Sequence, residues 1–202
     1  LKVTRAPGAF QADTRIGAAC DAYQLQVDLA GREILIEAQA AFAGTEAEGF
    51  TRSPPASFHI TVLPLVDPGE TLSMPIQEIW RRYGPRWLTA IRATGAETKP
   101  FTLRFTEIRY FPRALTAIAE PSPITAIRTA LKPLCGLPER PVRTPNITHV
   151  TLARYRDPRM IRESQNRDVP VFEIAVDRLR LIHETIYPSL SFDVIEEFRL
   201  GG

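Results

Sequence analysis

The sequence is short of several residue types, and each shortage excludes something. There are 2 cysteines, Cys20 and Cys135, with no Cys-x-x-Cys spacing. That rules out a disulfide framework or a thiolate metal cluster and reads as a pair of reduced thiols in a cytoplasmic protein. No apolar run approaches the length of a membrane span, and no signal peptide is read at Leu1. Net charge is +2 at pH 7, which is not the basic excess of a chain that coats nucleic acid. Histidine is scarce as well, at 3 residues.

Two of those histidines head the same short pattern. Phe58-His59-Ile60-Thr61-Val62 and Thr148-His149-Val150-Thr151-Leu152 are both His-x-Thr in an apolar, β-branched setting. Side chains alternate faces along a strand, so each histidine shares a face with its threonine, and the apolar neighbours point the other way. One such motif is weak evidence, because a satisfied polar pair on a strand explains it. Two in matched settings ask for a shared chemistry.

The surrounding pattern repeats too. Tyr23 to Val27 alternates as a strand, and Ile34, Leu35, Ala38, Ala41 and Phe42 follow helical spacing. Gly44 to Pro55 reads as a loop before the first His-x-Thr strand, about 57–65, which Pro64 and Pro68 end. Ile76, Ile79, Trp80 and Tyr83 suit a short helix stopped by Gly84-Pro85, with a further turn or two through Trp87, Leu88 and Ile91. Phe101 to Tyr110 and Ala114 to Ala119 read as strands. Ser122 then caps a helix with Pro123 at its first position. Its apolar stripe is Ile124, Ile127, Leu131 and Leu134, and Gly136 ends it. A proline-rich loop that includes Pro141 leads to the second His-x-Thr strand. Strand, helix, His-x-Thr strand thus occurs twice. Residues 1–21 show no period and read as an N-terminal arm ahead of a single domain, 22–202. Phe172 to Ile182 and Leu190 to Leu200 read as two strands around Tyr187-Pro188-Ser189.

Two imidazoles in one cleft can serve as general base and general acid near neutrality. The threonine hydroxyls beside them can donate to a phosphate, and this chemistry calls for no metal and no cofactor. A zinc site would need His183 or a carboxylate as third ligand. His183 is in phase with Leu179 and Leu181 and reads as structural. Tyr155 is in phase with His149 and has two readings, a base-stacking residue or core; Tyr110 and Phe111 have the same two. Arg154, Arg156, Arg159, Arg162 and Arg167 form a basic run that Asp157, Glu163 and Asp168 dilute, so it reads as an ordinary charged loop.

With both motifs in view, the chain resembles the 2H phosphoesterase superfamily, and within it the bacterial 2′-5′ RNA ligase and cyclic phosphodiesterase branch. Thr148 to Arg154 looks like that branch's second motif with its trailing arginine. Phe111-Pro112, Pro121-Ser122-Pro123, Leu179 to Glu184 and Phe198-Arg199-Leu200 look similar to it as well, so the resemblance spans most of residues 22–200. Two features depart from it: Val62-Leu63-Pro64-Leu65 stands where the branch favours Leu-x-Phe-Leu, and the arm is longer.

The resemblance implies an α/β fold of two pseudo-symmetric lobes, with mixed or antiparallel sheets around a central cleft. It implies a phosphodiesterase acting on a 2′,3′-cyclic phosphate or a 2′-5′ linked nucleotide or RNA end, with ligation as the reverse reaction. His59 and His149 would be catalytic, with Thr61, Thr151 and Arg154 on the substrate. Arg154 presents a conflict. Strict alternation places it on the face of Val150 and Leu152, away from His149, unless a bulge near 153 shifts the phase. The expected protein is a monomer whose only partner is its substrate, with no membrane association. The alternative is a module that binds nucleotides or RNA ends with little turnover.

Overall fold

A computed structural model describes residues 1–43, 48–67, 72–138, 142–161 and 169–201. Gly44, Pro68, Pro141, Arg162, Glu163, Arg167 and Asp168, which figure in the expectations above, lie outside the described residues. The elements are β1 (Lys2–Arg5), β2 (Ala19–Asp28), α1 (Glu33–Ala43), β3 (Phe50–Arg52), β4 (His59–Val66), α2 (Ile76–Glu97), β5 (Phe101–Tyr110), β6 (Ala114–Ala119), α3 (Pro123–Cys135), β7 (Thr148–Tyr155), β8 (Phe172–Val176), β9 (Arg178–Ile186) and β10 (Ser191–Arg199).

The strands form two sheets. One has the order β1-β5-β6-β7-β3, with β8 also on β5, and the other β10-β9-β2-β4. Every pairing is antiparallel except β1 with β5. β4 and β7, the two His-x-Thr strands, belong to different sheets and meet across the seam between them. This is the expected α/β fold of two lobes, each repeating strand, helix, His-x-Thr strand. The helices, however, are exchanged. α1 follows β2 in sequence but packs on β7, β3 and β6 of the other sheet, and α3 follows β6 but packs on β4. Each helix therefore buries its apolar stripe against the opposite lobe.

Several expectations needed correction. In the arm, Lys2–Arg5 adds a parallel strand to β5. In the loop before the first motif, Phe50–Arg52 pairs with β7. The helix at 76 does not stop at Gly84-Pro85 but runs to Glu97. A proline inside a helix ordinarily costs about 3 kcal/mol, and two features offset it here. Pro85 lies on the exposed face, and Ile79, Trp87, Ala90 and Ile91 bury the other side. Gly84 is not a breaker but a seat for the Trp80 ring, which a Cβ there would meet at 2.8 Å. In α3 the stripe ends in buried Cys135, while Leu134 is 48% exposed, because a helix turns by about 100° per residue. The stretch from Phe172 to Ile182 is two strands in two sheets. Phe172, Ile174 and Val176 are buried before Asp177, and Leu179 and Leu181 after it, so the alternation slips by one where the chain changes sheet.

Candidate active site

The two motif strands carry the same fault in the same place. On β7, Thr116 and Leu115 of β6 face Thr151 and Ala153, so Leu152 is an extra residue. On β4, Gln26 and Leu25 of β2 face Thr61 and Leu63, so Val62 is extra. An extra residue reverses which face the following side chains take. The burial patterns of Phe58–Leu65 and Thr148–Tyr155 match position for position: His, Thr and the residue three beyond the Thr are half-buried, and the rest are buried. The bulge thus brings Arg154 onto the face of His149 and Thr151. It turns Tyr155 inward, where its hydroxyl donates to the Ala114 carbonyl at 3.0 Å.

A polar side chain from the exchanged helix serves each bulge. Gln39 Nε2 of α1 donates to the Leu152 carbonyl at 2.6 Å and the Ser53 carbonyl at 2.7 Å. Arg128 of α3 donates from Nε to the Val62 carbonyl at 3.0 Å and from Nη2 to the Thr61 carbonyl at 2.8 Å. A buried carbonyl without a donor is costly, so these two contacts hold the local register. Burial pushes the Arg128 guanidinium down to about 10.

His59, Thr61, His149, Thr151 and Arg154 line one cleft of about 460 Å³. Gln24, Ser57, Pro64, Glu184 and Ser189 also line it, with Arg15 and Tyr187. His59 Nδ1 lies 2.8 Å from the Ser57 carbonyl. A carbonyl only accepts, so Nδ1 carries the hydrogen and Nε2 the lone pair. His149 Nδ1 faces the equivalent Ile147 carbonyl, two residues back, outside good hydrogen-bond geometry. Burial pushes both imidazoles down to about 4. For His59, Arg180 and Arg154 add to this against the Ser57 carbonyl, and for His149 the other histidine, Arg128 and Arg154 do so. Both rings are therefore neutral at neutral pH.

The hydroxyls differ between the lobes. Thr61 Oγ1 donates to Gln24 Oε1 at 3.1 Å. Gln24 Nε2 in turn donates to Glu184 Oε2 at 2.7 Å and to Ser189 Oγ at 3.0 Å. Burial raises the Glu184 carboxyl above its ordinary range, against the Ser189 N–H and the nearby arginines. Thr151 makes no such bond among the described residues.

Of the residues expected at the site, Tyr110 and Tyr155 are fully buried and belong to the core. Both pack against Phe10 of the arm, with ring centroids at 6.2 and 5.0 Å. Phe111 lies outside the cleft, under the Arg109 guanidinium. Among the described residues of the basic run, Arg154 lines the cleft, whereas Arg156 and Arg159 do not, and Arg159 pairs with Asp157 at 2.9 Å. His183 binds Asp21 Oδ1 at 2.6 Å and stacks on Tyr23. Sequence reading missed Asp13, Arg15, Gln24, Glu184 and Tyr187. The one available signal was Gln24 and Gln26 in an otherwise apolar strand, where buried amides need partners.

A family model described as the 2′-5′ RNA ligase superfamily matches residues 33–185. No curated protein matches the chain. Among solved structures, TT0787 of Thermus thermophilus superposes with a TM-score of 0.66 at 24% identity, covering 90% of this chain and 98% of its own. E. coli LigT in apo form superposes with a TM-score of 0.62 at 15% identity, covering 92% and 100%. A structure described only as a phosphoesterase gives 0.64 at 15%, covering 90% and 99%. E. coli LigT has also been solved with phosphate and with 3′-AMP. At these identities the likeness speaks for the fold.

Proposed function

Since the chain belongs to the 2′-5′ RNA ligase superfamily, we propose that it is a phosphodiesterase that opens a 2′,3′-cyclic phosphate or a 2′-5′ linkage of a nucleotide or RNA end, using two histidines and no metal. The observation that carries this reading is the shared cleft. His59 and His149 reach it from different sheets, each with its threonine on the same face.

The reaction needs one neutral imidazole and one protonated one. The neutral ring takes a proton from water as its oxygen bonds to phosphorus. The bond from phosphorus to the leaving sugar oxygen breaks, and the imidazolium gives that oxygen its proton. Among the protein's own groups both rings are neutral, so the substrate's negative charge has to raise one of them, as an adjacent opposite charge does. Arg154 and a threonine hydroxyl face the same space and suit the non-bridging oxygens. The exchanged protons return through solvent between turnovers.

The depressed imidazoles also favour a second reading, a module that holds a nucleotide or RNA end with little turnover. Assaying a panel of 2′,3′-cyclic nucleotides and 2′-5′ dinucleotides in the presence of EDTA separates the two. Hydrolysis that His59→Ala and His149→Ala each abolish supports the enzyme. Binding without hydrolysis supports the module, and activity lost to EDTA and restored by zinc overturns the metal-free mechanism.

A further inference from the structure

The N-terminal arm lines the cleft with Arg15 and sets a buried carboxylate against the cleft residue Arg154. Asp13 Oδ2 accepts from Arg154 Nη1 at 2.6 Å and from the Tyr187 hydroxyl at 3.1 Å. Its side chain is 1% exposed and that of Arg154 18%. Arg154 Cζ lies 4.9 Å from the centre of the Tyr187 ring, and Arg15 stacks on the same ring at 4.2 Å. The arm is fastened on both sides of this contact. Ala6 N–H donates to the Tyr110 carbonyl, Gln11 N–H to the Pro112 carbonyl, Asp13 N–H to the Tyr155 carbonyl and Gly17 N–H to the Tyr187 carbonyl. Phe10 seats against Tyr110 and Tyr155. The arm thus runs beside the cleft, which its Arg15 lines, with Asp13 turned onto Arg154.

A guanidinium is a rigid fork, and a carboxylate on one tine sets the direction of the others. With Nη1 held by Asp13, the direction of Nε and Nη2 is set. Nε is buried and has no protein partner among the described residues. A guanidinium that lines the same cleft as two histidines and two threonine hydroxyls is matched to an anionic oxygen.

We propose that Asp13 is a positioning residue of the reaction, orienting Arg154 toward the phosphate, so that the arm is part of the working site. This rests on the phosphodiesterase reading above. Asp13 also opposes Arg154's charge, so removing it has two opposite effects. It frees the cation to attract a ground-state anion, and it releases the geometry that the transition state requires.

The test is a cycle of Asp13→Asn, Arg154→Ala and the double variant. Turnover of a 2′,3′-cyclic nucleotide and calorimetric binding of inorganic phosphate are read on each, with EDTA present. The expected result for Asp13→Asn is kcat lowered about tenfold or more while phosphate binds as well as before or better, a split that simple loosening of the arm does not produce. In the Arg154→Ala background, Asp13→Asn should change neither quantity by more than about twofold. Asp13→Glu keeps the charge but displaces it, so it should keep phosphate affinity and lose part of kcat. Unchanged kcat in Asp13→Asn, or an equal loss with Arg154 already removed, overturns the proposal. If no cyclic phosphate is turned over, the hydrolase reading fails, and phosphate affinity alone then decides. Coupling between the two substitutions in phosphate binding supports the contact, and independent effects overturn it.

Discussion

Pro64 and Arg154 occupy one position in two copies of the same bulged strand. Each follows its motif threonine by three residues, each is returned to the cleft face by an extra residue, and both line the cleft. Proline is tolerated there because β4 is the edge of its sheet. The matched backbone therefore offers a cation from one lobe only, and the two motifs are equivalent in geometry but not in electrostatics.

The bulges make Gln39 a sensitive position. Gln39→Leu keeps the size of the side chain, withdraws the Nε2 donor from the Ser53 carbonyl and leaves the Leu152 carbonyl with the Ser53 N–H alone. Leaving a buried acceptor unserved costs about 1–3 kcal/mol. The urea midpoint should fall accordingly, and kcat/KM should fall with it as Arg154 loses its aim. A midpoint equal to that of the parent protein would mean the bulge holds itself.

Removing either imidazole should be felt in the chemistry rather than in the fold. His59→Ala and His149→Ala should each lower kcat by about 10²–10⁴-fold, the range for a positioned acid or base, with little change in thermal midpoint. A folded variant with near-parental turnover would take that histidine out of the mechanism.

Burial holds both histidines down at about 4 in the folded protein, against about 6.5 in an unfolded chain. Between those values the unfolded state binds more protons, so stability declines as pH falls from about 6.5 toward about 4, and the two rings contribute no pH dependence above that window. Phosphate should raise the titration of at least one ring, visible as a shift of its C–H resonances in an NMR pH series. Resonances that titrate identically with and without phosphate would separate the rings from the anion.

The threonines should part company. Thr151→Val removes a hydroxyl with no bond of its own among the described residues, so stability should hold while kcat loses about 2–4 kcal/mol, as for a single oxyanion donor. Thr61→Val also unseats Gln24 from its chain to Glu184 and should lower stability by about 1–3 kcal/mol. Equal behaviour in activity and in denaturant would contradict the asymmetry.

What the sequence made legible follows from what is local. Ser122, with its hydroxyl accepting from the Ile124 N–H, starts α3 as composition predicts. The two histidines and their threonines share faces because two residues is one strand period. Arg154 and Tyr155 changed places because strict alternation cannot see an extra residue, and the donor that stabilises it, Gln39, is 113 residues away in sequence. The even-to-odd slip of apolar residues around Asp177 was visible in the sequence and marked the change of sheet. Asp13 carried no signal, since its meaning depends on an arginine 141 residues away.

The exchange of helices between the lobes means the two similar halves are not separable parts. A fragment ending between Tyr110 and Ala114 would contain β2, β4 and His59. It would lack β9 beside β2 and Arg128 behind Val62. The complementary fragment would contain His149 without Gln39 at Leu152. Neither piece could be grafted onto another scaffold with its motif intact, and a nick in the chain would have to leave both pieces associated for either histidine to keep its place.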